Sequence, residues 1–131
     1  MNLMNRFCLI ALLLVANLTS VTAQTSFNRK FSKSNIYVGI EIGSKGVKMS
    51  VVEIGKNSQS NGEFHVLKDT SVNTDFITFT QATFDATING LASLYNVALN
   101  DYKVPAKRIF TVISSGVKMQ AEKDKKTEWI S

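Results

Sequence analysis

The chain has 131 residues, a net charge of +5, one cysteine and one histidine. That length suits one small domain. The positive charge is spread along the chain without interleaved aromatic residues, which argues against nucleic acid as a partner and only weakly for anionic ligands. His65 cannot form a metal cluster by itself, and the lone cysteine excludes an intrachain disulfide.

Residues 1–23 have the pattern of a secretory signal peptide. Residues 1–6 end in an arginine, residues 7–16 are an unbroken apolar run, and small residues precede a cleavage site after Ala23. A membrane anchor is the alternative, but the apolar run has about half of the roughly 20 residues that a spanning helix needs. We therefore expect cleavage, a secreted or periplasmic protein, and no stable membrane span afterwards.

Three strands are predicted after a basic linker at residues 24–35. Ile36–Ile42 alternates apolar with other residues, and Val47–Ile54 is rich in β-branched residues and apolar enough to be covered on most of its length. Residues 56–62 have the composition of a turn, and Glu63–Lys68 is more polar, as expected at a sheet edge. The three strands form an antiparallel meander.

A helix and a fourth strand follow. From about Thr80 to Tyr102 apolar residues recur at helical spacing, until Val104-Pro105 ends the helix. The recurring residues are Phe84, Ile88, Leu91, Tyr95, Ala98, Leu99 and Tyr102. Ile109–Ile113 is a short apolar strand, and a second helix is expected after Ser114–Gly116. The predicted fold class is α/β, with residues 36–131 forming one mixed sheet in the order β-β-β-α-β-(α).

The connection between the first two strands has the composition of a phosphate-binding turn. It reads Gly43-Ser44-Lys45-Gly46. Backbone N–H groups in a tight turn bind phosphate, and glycine supplies the positive φ values that such turns need. Ser44 and Lys45 add a hydroxyl and a cation, and Lys48 adds a second positive charge. A plain hairpin is the alternative, since Gly-x-x-Gly also joins many antiparallel strands.

Two segments resemble motifs of one family. Residues 38–49, VGIEIGSKGVKM, resemble the first phosphate loop of the ribonuclease H-like, actin-like ATPase superfold, and most closely its exopolyphosphatase and guanosine-pentaphosphatase branch, the Ppx/GppA family. That branch reads apolar-Asp-apolar-Gly-Ser-Asn-Ser-apolar-Arg, followed by an apolar strand ending near Glu. The matching positions are Gly43, Ser44, Val47 and Glu53. Residues 112–118, VISSGVK, resemble its Val-Ala-Thr-Ser-Ala-apolar-Arg motif. The resemblance implies an incomplete first lobe.

The resemblance also implies a chemistry. Ppx/GppA enzymes hydrolyse phosphoanhydride bonds with Mg²⁺, so polyphosphate or a guanosine polyphosphate is the implied ligand, and Glu41 replaces the family aspartate near the metal. The implied phosphate contacts are Gly43, Ser44, Lys45, Gly46, Lys48, Ser114, Ser115, Gly116 and Lys118. Lysine stands at positions 48 and 118 where the family has arginine, so the bidentate contact that a guanidinium group makes with phosphate is lost. The family's catalytic glutamate and second lobe are expected beyond residue 131, so we assign no catalytic residue.

Two functions stay open. One is an exported Ppx/GppA-like phosphohydrolase of the exopolyphosphatase type, present here as its N-terminal part. The other is a non-catalytic module of the same fold in the cell envelope, either phosphate-binding or structural. Glu41 and the two lysines favour this module, whereas the preserved pair of loops favours the phosphohydrolase. Another ATPase or kinase of the superfold agrees less well with Ser114-Ser115-Gly116. An isolated half-lobe with an exposed cleft face is also expected to self-associate.

Overall fold

The computed structural model describes residues 27–131, apart from the side chain of residue 59. The predicted signal peptide therefore lies outside the described residues. The strands are β1 (Ser34–Ile42), β2 (Gly46–Gly55), β3 (Phe64–Asn73) and β4 (Ile109–Ile113). The helices are α1 (Ser58–Asn61), α2 (Gln81–Asn100) and α3 (Ser115–Lys123), with short 3₁₀ turns at Phe76–Thr78, Ala106–Arg108 and Thr127–Trp129.

The four strands form one mixed sheet in the order β3-β2-β1-β4. β2 pairs antiparallel with both β1 and β3, whereas β4 runs parallel to β1 and places Ile113 beside Ile42. The predicted meander, the edge position of the third strand and the mixed α/β fold class are confirmed. β3 is longer than predicted, and a register shift opposite Val51 and Val52 leaves Leu67 as an extra residue.

Alternation along β1 decides which face of the sheet is buried. Its inner residues are Ile36, Val38, Ile40 and Ile42, as predicted, and the β2 residues opposite them are Glu53, Val51, Met49 and Val47. α2 packs on this inner face, and the core is completed from the other elements by Phe76, Phe79, Val104, Val117 and Ala121. The outer face leaves Phe64, Val66, Phe110 and Val112 exposed. Within residues 27–131 no helix is both long and apolar enough to cross a membrane.

α2 contacts the sheet through small residues. The helix starts with a capping box, in which Thr80 and Thr83 each accept the other's backbone N–H through the side-chain oxygen, both at 3.2 Å. Its fully buried residues are Thr87, Gly90, Leu94 and Ala98, of which Ala98 was predicted. The predicted Phe84, Leu91 and Tyr95 are partly buried and pack against the core. Ile88, predicted to face the core, is 45% exposed. A Cβ on Gly90 would lie 3.4 Å from Val72, so the glycine allows close approach to β3.

Two segments differ in detail from the sequence prediction. Residues 56–62, predicted as a turn, contain the single turn of α1, which Gly62 ends at φ 69°. α2 ends at Asn100 rather than Tyr102, and its pattern of hydrogen bonds continues to Asp101, whose N–H donates to the Val97 carbonyl at 2.9 Å. Lys103, with φ 53°, then turns the chain toward β4.

Glu53 is a fully buried carboxylate that holds the N-terminal segment against the sheet. It accepts hydrogen bonds from the Ser34 hydroxyl at 2.5 Å, the Lys30 N–H at 2.8 Å and the Phe31 N–H at 3.3 Å. His65 Nδ1 lies 3.4 Å away. Burial by itself raises the pKa of Glu53, but the hydrogen bonds from Ser34, Lys30 and Phe31 outweigh it and leave the pKa below its ordinary value. The described part of the segment predicted as a linker is thus packed against the domain.

Replacing Glu53 should weaken the fold in a pH-dependent way. We expect Glu53→Gln to lower the free energy of unfolding at pH 7 by about 1.5–3 kcal/mol, because hydrogen bonds to a charged group are lost. Since the pKa is lower in the folded state, this stabilisation is present above the unfolded-state pKa and is lost as the pH falls through the folded-state pKa. The difference in the free energy of unfolding between the wild-type protein and Glu53→Gln should therefore shrink below about pH 4.5.

Urea unfolding at several pH values measures this difference. Glu63→Gln is the matched control, because the exposed Glu63 carboxylate pairs at 2.5 Å with Lys30 of the same segment. We expect that control to change the free energy of unfolding by less than about 1 kcal/mol. A Glu53→Gln effect that stays constant from neutral to acidic pH would contradict the role given to the carboxylate charge.

Gly46 should be intolerant of a side chain, because a Cβ there would lie 2.1 Å from the Val72 carbonyl oxygen of β3. We expect Gly46→Ala to lower the free energy of unfolding by about 1–3 kcal/mol as the backbone shifts. Gly39→Ala on β1 is the control, since its Cβ would meet no atom within 4 Å. That change should be neutral or stabilise by up to about 1 kcal/mol. Equal losses of stability in Gly46→Ala and Gly39→Ala, measured by thermal or urea unfolding, would contradict the explanation by close approach.

Candidate phosphate-binding site

The hairpin between β1 and β2 is fixed through its carbonyl groups. Gly43 N–H donates to the Gly46 carbonyl at 2.9 Å and closes the turn. The Ser44 carbonyl accepts from Ile77 N–H at 3.2 Å, and the Lys45 carbonyl accepts from Thr74 N–H at 3.0 Å. Within residues 27–131, the N–H groups of Ser44 and Lys45 donate to no acceptor. The turn thus keeps two backbone donors for a ligand or water.

The glycines of this turn do not have the conformation that the sequence reasoning expected. The one glycine with positive φ within residues 27–131 is Gly62, so the expectation that Gly43 and Gly46 supply positive φ is wrong. Gly46 is needed instead for its close approach to β3. A Cβ on Gly43 would lie 3.3 Å from the Gly46 carbonyl oxygen, which makes that position tight as well. The glycines alone therefore do not distinguish a phosphate loop from a plain hairpin.

The second motif lies directly beside the hairpin. Because β4 is parallel to β1, both strands end at the same edge of the sheet, and Ser114 N–H donates to the Ile42 carbonyl at 2.9 Å. The Ser114 hydroxyl caps α3 by accepting from Val117 N–H at 3.3 Å. Ser115 and Gly116 form the exposed start of this helix, where backbone N–H groups have no partner within the helix. Such a helix start attracts anions.

The predicted charged residues divide into paired and unpaired groups. Lys45 Nζ lies 3.1 Å from the Asp75 carboxylate, and Lys118 Nζ lies 3.9 Å from that of Glu122. Glu41 and Lys48 are directly opposite each other on β1 and β2, both exposed on the outer face of the sheet. Within residues 27–131 neither forms an ion pair. Lys48 is therefore the predicted site lysine that remains available to an anion.

Asp75 is the residue at this site that the sequence reasoning missed. It has φ 49° and precedes the 3₁₀ turn, from which Ile77 N–H donates to the Ser44 carbonyl. Asp75 N–H donates to the Lys45 carbonyl at 3.2 Å, while its carboxylate pairs with the Lys45 ammonium group. The two residues are 30 positions apart, so no local pattern could signal this contact.

Metal ligands are sparse near the hairpin. Within residues 27–131 no group of three or more His, Cys, Asp or Glu side chains could hold a metal ion. Glu41 is the predicted metal contact, and it would provide a single carboxylate. His65 is partly exposed and lies beside Glu53 rather than near this edge of the sheet.

Comparison with known proteins gives a likeness of fold. No protein-family model and no curated protein matches the chain. The chain is similar to the crystal structure of the Aquifex aeolicus Ppx/GppA family member, with 17% identity, coverage of 70% of this chain and 32% of that chain, and a TM-score of 0.49. A second Aquifex aeolicus PPX-GPPA enzyme structure has 16% identity, coverage of 70% and 32%, and a TM-score of 0.47.

The type II variant of the Aquifex aeolicus Ppx/GppA phosphatase has 15% identity, coverage of 73% of this chain and 33% of that chain, and a TM-score of 0.46. This chain thus spans about a third of the length of the structures that it matches. The family of these structures is the one that the two sequence motifs resemble.

Proposed function

We propose that this chain is the N-terminal part of an exported phosphohydrolase of the Ppx/GppA type, which hydrolyses phosphoanhydride bonds in polyphosphate or a guanosine polyphosphate. Its own part in that function is to bind phosphate between the β1–β2 hairpin and the start of α3. Export rests on the signal-peptide pattern of residues 1–23, and self-association stays a prediction.

The observation that carries the proposal is the hydrogen bond from Ser114 N–H to the Ile42 carbonyl at 2.9 Å. It joins two loops that lie about 70 residues apart in sequence and that separately resemble phosphate motifs. Together they present the free N–H groups of Ser44 and Lys45, the N-terminus of α3 and the unpaired Lys48 at one edge of the sheet. Backbone donors, a helix start and a cation are the groups that bind phosphate in proteins.

Magnesium fits this site only together with phosphate. Mg²⁺ is commonly held by one or two carboxylates plus substrate phosphate oxygens and waters. Glu41 would provide the carboxylate, while Lys48 directly opposite would disfavour a bare cation. Bound magnesium would neutralise charge on the phosphate oxygens. The residues of this chain orient the phosphate chain, and we place no catalytic base among them.

A non-catalytic module of the same fold is the second candidate. It is favoured by the structural roles already held by loop residues: Gly46 accommodates β3, and Lys45 pairs with Asp75. Lysine at positions 48 and 118 also lacks the fork that grips phosphate in two places. In this reading the hairpin is a structural turn that keeps the composition of a phosphate loop.

Phosphate binding should be visible at the hairpin amides. We expect polyphosphate with Mg²⁺ to shift the amide resonances of residues 43–46 and 114–116 of the isotope-labelled protein. Lys48→Gln should weaken this binding by about threefold to tenfold, as expected for losing one solvent-exposed positive charge near an anion. NMR titration measures both effects.

Lys56→Gln is the charge-matched control, because Lys56 is exposed after β2 at the opposite end of the sheet. This variant should leave the affinity for polyphosphate unchanged. Amides of residues 43–46 that do not respond to polyphosphate would contradict the phosphate-binding proposal and favour a structural module.

Hydrolysis by these 131 residues alone should be negligible. We expect phosphate release from polyphosphate or a guanosine polyphosphate to be no faster than with the Glu41→Ala variant, because half of a cleft leaves the reacting phosphate unpositioned. A phosphate-release assay with Mg²⁺ makes the comparison. Activity well above the variant would show that the catalytic apparatus is complete in this chain.

A further inference from the structure

A second candidate site lies at the opposite end of β1 from the hairpin. There an open cleft of about 600 Å³ is bounded by the N-terminal segment on one side and by the connection from α2 to β4 on the other. Its volume is in the range of small-molecule sites. Neither phosphate motif contributes to it, so the proposed function does not explain it.

The cleft has an excess of positive charge. Arg29, Lys103 and Arg108 line it, and Asp101 is the one acidic residue among its lining residues. None of the three cations lies within ion-pair distance of a carboxylate in residues 27–131. A cluster of like charges raises the local positive potential, which favours an anion at the rim of the cleft.

Aromatic rings hold both guanidinium groups in place. The Arg29 guanidinium carbon lies 5.6 Å from the centroid of the Phe27 ring, and that of Arg108 lies 5.7 Å from the Tyr37 ring. A guanidinium stacked on a ring keeps its N–H groups at the ring's edge, directed away from it. Phe27 lines the cleft, so its contact favours one placement of Arg29 there before any ligand binds and lowers the entropy lost on binding, whereas the Tyr37 ring under Arg108 is not part of the cleft lining.

Apolar groups lie beside these cations. The rings of Phe27 and Tyr102 contact each other with centroids 5.5 Å apart, and Ile36 and Val104 are buried at the base of the cleft. Pro105 adds a further apolar edge. The lining thus joins a charged rim to an apolar base, a combination that suits a ligand with an anionic group on an apolar body.

We propose that this cleft binds a small organic anion, a carboxylate or phosphate ester that carries an aromatic or aliphatic group. The anionic group pairs with Arg29 and Arg108, and the apolar part packs against Phe27, Tyr102 and Val104. Phe27, Asn28, Arg29 and Ser34 belong to the segment that Glu53 holds against the sheet, so this wall of the site exists only while that segment is docked.

NMR titration with phenyl phosphate and with benzoate tests the proposal. We expect saturable shifts of amides in residues 27–36 and 100–108, with phenol, the uncharged analogue, giving none at equal concentration. Arg29→Gln and Arg108→Gln should each weaken binding about tenfold, as when one charge-assisted hydrogen bond is lost. Both are changes at partly or fully exposed side chains, and unchanged amide spectra of β2 and β3 verify the fold.

Lys107→Gln is the matched control, because Lys107 is exposed next to Arg108 but does not line the cleft. It should leave both affinities unchanged. The proposal is overturned if neither probe shifts the cleft amides up to roughly 10 mM, or if Lys107→Gln weakens binding as much as the arginine variants. Shifts confined to residues 43–46 and 114–116 would also overturn it, while supporting the separate phosphate site.

Discussion

The pairing of β1 with a neighbour on each side is the constraint on which the rest of the structure depends. Its antiparallel pairing with β2 creates the hairpin, and its parallel pairing with β4 brings the start of α3 to the same edge of the sheet. Strict alternation buries Ile36, Val38 and Ile40 on one face and thereby fixes the register of both pairings, since a slip of one residue would expose the buried set. The candidate phosphate site follows from that register.

Glu53 is the exception within the buried face, and it shows how a charge can be accommodated there. An isolated buried carboxylate would be strongly unfavourable, but this one accepts three hydrogen bonds and contacts His65. Its donors come from residues 30–34, ahead of or at the start of β1. The energetic requirement of one acid therefore determines the path of the N-terminal segment, which in turn forms one wall of the cleft lined by Arg29.

Local periodicity predicted most of the fold, because the elements that it predicted depend on local residues. β1, α2 and β4 each carry their period in the sequence, and the bounds of β4 were predicted to the residue. Most of the predicted stripe of α2 does contact the core, but Thr87 and Gly90 were missed, because their small size permits close approach to the sheet and gives no apolar signal.

The place of the candidate site was predictable from the sequence, whereas the backbone conformation of its glycines and the pairing of its side chains were not. The first loop was predicted from its composition and the second from its resemblance to a family motif, and strand order then accounts for their proximity. The need for glycine at position 46 could not be predicted from the sequence, because it arises from the close approach of the Val72 carbonyl in the neighbouring strand β3. The partners of Lys45 and Glu53 were likewise hidden, because Asp75 and residues 30–34 are brought to them by the tertiary fold alone.

The two candidate sites are far enough apart to act independently. Ile36 borders the cleft and Ile42 borders the hairpin. The rise from Ile36 to Ile42 is six steps along the strand of roughly 3.3 Å each, which separates the two sites by about 20 Å. That distance is more than twice the Debye length of about 8 Å at physiological ionic strength, so charges at one end are largely screened from the other. The β1 residues between them pair with β2 along their whole length and with β4 from Val38 onward. An anion bound in the cleft should therefore neither compete with phosphate at the hairpin nor assist it, and each site can be assessed on its own contacts.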